Sequence, residues 1–101
     1  MSEILDRTLK IIDHVKSDIE KSSSLNDLIL PLNALHSALD IMGFRKDNLL
    51  ISRLALLVQN CNEKNIYNKT QDISEIKNQI YQLISYIIEE SKLIDCANHN
   101  E

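Results

Sequence analysis

Four amphipathic helices in an up-and-down antiparallel bundle are what these 101 residues predict. Three observations carry that expectation. Apolar residues recur at three- and four-residue spacing in four separate segments, the period of one side of a helix. The whole chain holds one Gly and one Pro, too little turn punctuation for a many-stranded sheet. The segments are joined by polar connections, which favours packing each helix beside the next.

The first helix is expected over about 3–21, with Ile4, Leu5, Thr8, Leu9, Ile12, Val15 and Ile19 inward and Asp6, Lys10, Asp13 and Lys16 opposite. Ser22, Ser23 and Ser24 form a joint. Ser24 followed by Asp27 resembles a capping box with Asp in place of Glu or Gln, and it opens a second helix over 25–42. Leu25, Leu28, Leu32, Leu35, Leu39 and Met42 are its apolar stripe, and Gly43 suits the left-handed turn that ends it. Pro31 removes a backbone donor, so the helix is expected to kink there or to begin near it. Asp47 is the expected cap of a third helix over 47–61, with Leu50, Ile51, Leu54, Leu57, Val58 and Cys61 inward and Arg53 and Gln59 outward. A polar link over 62–71 precedes a second capping box, Asp72-Ile73-Ser74-Glu75. That box opens a fourth helix over 72–94, with Ile73, Ile76, Ile80, Leu83, Ile84, Ile87 and Ile94 inward. Residues 95–101 read as a frayed tail without apolar partner positions.

Length and composition bound the rest. At 101 residues, with 44% hydrophobic and 26% charged, the chain is one globular domain with one core. Eleven basic against 15 acidic residues give a net charge of −4, without the basic excess that nucleic-acid binding needs. The longest strictly apolar run, 54–58, is far below the roughly 20 residues that span a bilayer. The start of the sequence lacks the features of an export signal, and Cys61 and Cys96, without a CxxC pairing, read as reduced packing residues of a cytoplasmic protein. His14 and His99 have no ligand partners at metal spacing, so no metal or other cofactor is expected. Tyr81 and Tyr86 are expected to border the core with their hydroxyls out. No nucleophile triad or phosphate loop is present, and no enzyme activity is expected.

One segment is more specific. On a helical wheel Asn26, Asn33, Ser37 and Asp40 lie opposite the leucine stripe, with His36 on the shoulder between. The string Leu32-Asn33-Ala34-Leu35-His36-Ser37-Ala38-Leu39-Asp40-Ile41-Met42-Gly43-Phe44 resembles the signature of histidine phosphotransfer (HPt) domains, His-x-Leu-Lys-Gly, five residues, then Gly. Leu35 takes the Leu position and Gly43 the second Gly; His36 stands where the family has Lys, and Ser37 where it has the first Gly. The phosphorylated His position holds Asn33. The string is closer still to the degenerate HPt-like domains of large pilus-regulating chemotaxis-type kinases.

The resemblance implies an HPt-like bundle that binds a response-regulator receiver or a histidine kinase through Asn33, His36, Ser37 and Asp40, with Arg53 from the third helix. An amide nitrogen has no basic lone pair, so Asn33 implies binding without transfer. Two alternatives stay open. His36, three residues on, could be an active phosphoacceptor, or the chain could be a structural or adaptor bundle, dimeric in one version.

Overall fold

The computed structural model describes residues 3–66 and 73–99 and is all α-helix with turns among them. Helices α1 (Glu3–Lys21), α2 (Leu25–Met42), α3 (Leu49–Ile66) and α4 (Ile73–His99) form a four-helix bundle. Consecutive helices pack as neighbours and α4 closes the ring on α1. Directions alternate: the end of α1 meets the start of α4 where Lys77 Nζ donates to the Glu20 carbonyl at 3.1 Å. The same contact satisfies one of the carbonyls that every helix end leaves free. Tyr81, half-buried on that seam, has its pKa raised above 10.0 by burial and by the Glu20 charge.

The core is the set of stripes read from the sequence. Leu5, Ile12, Val15 and Ile19 of α1, Leu28, Leu32, Leu35, Leu39 and Met42 of α2, Ile51, Leu54 and Cys61 of α3, and Ile76, Ile80, Leu83, Ile84 and Ile87 of α4 are all buried. Ile4 departs from expectation, lying exposed at the start of α1. Phe44, just past α2, joins the core instead.

The two ends of α2 are fixed by local hydrogen bonds. Ser24, extended at φ −140°, accepts from the Asp27 N–H, while the Asp27 carboxylate takes the Ser23 N–H at 3.2 Å and the Ser23 hydroxyl at 3.3 Å. The Asp27 carboxylate thus engages the residue before the cap, where the acid of a capping box engages the cap residue itself. At the other end Gly43 is left-handed, φ 96°. The Gly43 N–H donates to Asp40 and the Phe44 N–H to Leu39, the paired bonds of a Schellman turn, with Phe44 buried as the apolar plug.

Pro31 is buried inside a continuous α2, so the helix does not begin there. The carbonyl that Pro31 fails to engage is that of Asp27, and the buried Ser22 hydroxyl lies 3.5 Å from it while donating to the Asp18 carbonyl at 2.8 Å.

Three boundaries move. The third helix starts at Leu49 and is capped by Asn48, whose Oδ1 takes the Leu50 N–H at 2.8 Å; Asp47 instead faces Arg45 at 3.3 Å. Cap geometry needs its acceptor directly before the first helical residue, a place Asn48 holds and Asp47 does not. That helix continues past 61 to Ile66, shortening the link expected over 62–71. The capping box at Asp72 begins outside the described residues. α4 runs on through the expected tail to His99, with Asp95 buried. Cys61 is buried, as a packing residue should be, but Cys96 is exposed; neither is in a disulfide. Among the described residues, no helix is long and apolar enough to cross a membrane.

Candidate functional site

α2 touches both α1 and α3 and spends its leucine stripe on the core, which leaves one face outward. Asn33, Ser37 and Asp40 are exposed on that face, at the intervals that line one side of a helix. The Ser37 hydroxyl donates to the Asn33 carbonyl at 3.2 Å, so Ser37 folds back on its own helix and the surface there stays low. His36 is half-buried on the shoulder, with Nδ1 3.7 Å from Asp40 Oδ2 one turn on. At that distance the pair is an ion pair only when the imidazole is protonated.

Asn33, with its carboxamide in solvent, occupies the outward position expected of it. Arg53 is not brought to this group. It lines a groove between α3 and α4 with Gln79, Leu83 and Tyr86, so its neighbours come from α4. The reason is angular: α3 turns Ile51 into the core and packs Val58 partly against it, and Arg53 falls well over a quarter-turn away from both.

The outer face of α2 also carries residues that the sequence reading passed over. Leu30 is 78% exposed and Ile41 61% exposed, and with Ala34 and Ser37 they fall in one line at four-three-four spacing. The line has apolar ends and a small, shallow centre. Its signal was present in the sequence as a second periodic row, hidden because the stronger leucine row accounts for the helix on its own. Ala34 also borders the α1–α2 groove beside His14, Val15 and Asp18, so the face extends toward α1.

Among the described residues no three His, Cys, Asp or Glu side chains gather as a metal site. What the α2 face offers is shape and hydrogen bonding: a carboxamide, a small hydroxyl, an imidazole beside a carboxylate, and two exposed aliphatic anchors. No family model, no curated protein and no solved structure matches the chain.

Proposed function

We propose that this protein is a non-catalytic, HPt-like binding module that engages a receiver domain or a histidine kinase through the outer face of α2. The supporting observation is the exposure of Asn33 and Ser37 between the aliphatic anchors Leu30 and Ile41. Two large apolar side chains on one exposed line offer a partner an anchor at each end, and the few residues that anchor an interface carry most of its affinity. The small centre at Ala34 and Ser37 lets a partner helix approach the backbone of α2. Asn33 donates and accepts hydrogen bonds there but holds no nucleophilic nitrogen, so contact ends in binding.

The test is titration of isotope-labelled protein with receiver domains, unphosphorylated and activated. Shifts should concentrate on residues 30–41, and Ser37→Arg or Leu30→Asp should weaken binding by about tenfold or more. Shifts confined to α3 and α4, or no binding across a panel of receivers and kinases, would sink the reading.

A second reading rests on the His36–Asp40 pair, because a carboxylate beside Nδ1 orients an imidazole whose Nε2 attacks. In that reading the phosphoryl group passes from a receiver aspartyl phosphate to His36 and the aspartate carboxylate leaves. Acid-labile label that disappears in His36→Gln would establish it in place of the first.

A further inference from the structure

A second face, on the side of the bundle formed by α3 and α4, carries its own argument. These two helices make the sparsest of the contacts between chain neighbours in the ring, and a groove runs between them. Leu49, Leu56 and Tyr86 line it, each between 58% and 63% exposed, and Leu93, 64% exposed, continues the Tyr86 row along α4. On α3, Leu49, Arg53 and Leu56 follow at four-three spacing; on α4, Tyr86, Glu89 or Glu90, and Leu93 do the same. That is the row pattern with which helices pack side by side.

The charges on the two walls are opposite. Arg53 stands on the α3 wall, and Glu89 and Glu90 stand on the α4 wall, all lining the same groove. None of the three makes an ion pair among the described residues. Arg53 is level with Tyr86, and the two glutamates lie about one turn further along α4, roughly 5 Å. An α3 wall that is positive and an α4 wall that is negative at nearly the same height fit each other in two copies of the chain. Rotation by 180° about an axis parallel to the helices lays α3 of each copy on α4 of the other without changing height. Each Arg53 then meets Glu89 and Glu90 of the other copy, while the exposed leucines and Tyr86 close over the groove.

We infer that the occupant of the α3–α4 groove is a second copy of this protein, in an isologous dimer held by two reciprocal Arg53 to Glu89/Glu90 contacts around an apolar centre. The α2 face stays outside this interface, so the dimer stands or falls independently of partner binding there.

Charge reversal tests the arrangement. By sedimentation equilibrium the wild type should reach twice the 11.6 kDa monomer mass as concentration rises. Arg53→Glu alone, and Glu89→Arg with Glu90→Arg, should each stay monomeric, because like charges then meet twice in every homodimer. An equimolar mixture of the two variants should recover the dimer mass, since each mixed pair restores both contacts. That recovery also shows that both variants fold. A wild type still monomeric at about 1 mM, where even a weak dimer is populated, overturns the inference and leaves the groove to a different protein. So does a dimer that survives both reversals, or one abolished by Ile41→Asp on α2, or a mixture that stays monomeric.

Discussion

Single residues set the ends of α2, and the signals are short-range enough to read from the chain. Asp27 is fully exposed, yet its carboxyl is held below 3.8, first by the Ser23 N–H and next by the Ser24 side chain, with burial opposing weakly. A carboxyl lowered in the folded state binds its proton more readily when unfolded, so its contribution is present above pH 3.8 and fades as pH falls through the lowered value. Urea melts across pH should show Asp27→Ala less stable than wild type near neutrality, with the gap shrinking below pH 3.8. At the other end, a Cβ on Gly43 would meet nothing within 4 Å, so Gly43→Ala costs only the left-handed backbone, about 1–2 kcal/mol. Thermal unfolding of that variant should fall by several degrees, and Gly43→Asn should fall less. The third helix was harder to read, because Asp47 and Asn48 are equally good caps by type. Backbone direction decided for Asn48, and nothing in the residue types encodes it.

At the scale of helices, the buried stripes were legible because a two-sided helix must turn its apolar row inward whatever its neighbours are. The ends of α3 and α4 were not, since residues such as Asn62, Glu63 and Ala97 permit a helix to continue without requiring it. Residues 95–99 carry no large apolar side chain, but Asp95 is buried and the helix holds. The outer face of α2 was half legible. Asn33 and Ser37 stood out by motif, whereas Leu30 and Ile41 look like core until the bundle shows which side of α2 is already covered. Arg53 was assigned outward correctly but toward the wrong neighbour, because an outward position on α3 does not say which groove it borders. The unequal seams have a dynamic consequence. α1 and α2 share the most extensive packing and α4 the least with its neighbours, so opening should begin where α4 meets α3. Amide exchange should therefore be slowest at the centres of α1 and α2, near Ile12 and Leu35, and faster in α4 near Leu83. Equal protection in α4 and α2 would contradict that order.

For the molecule as a whole, the two thiols report on different events. Cys96 lies exposed on α4 and reacts without any opening of the bundle, while Cys61 has no accessible surface and belongs to the core cluster of α3. Cys61 is uncovered only when α3 parts from a neighbouring helix, because it belongs to the same continuous core as Leu28, Leu32 and Leu54, all without accessible surface. Native protein treated with a thiol reagent should thus gain one label quickly and the second only at the rate at which α3 parts from its neighbours. In Cys96→Ser the fast phase should vanish and the slow one remain. A core mutation such as Leu35→Ala, costing about 2–5 kcal/mol, should accelerate only the slow phase, by no more than the free energy that it removes from equilibrium stability when reclosing outpaces labelling. If both thiols label together in the wild type, Cys61 is reached without any separation of α3 from the bundle, and its place in the packed core is wrong.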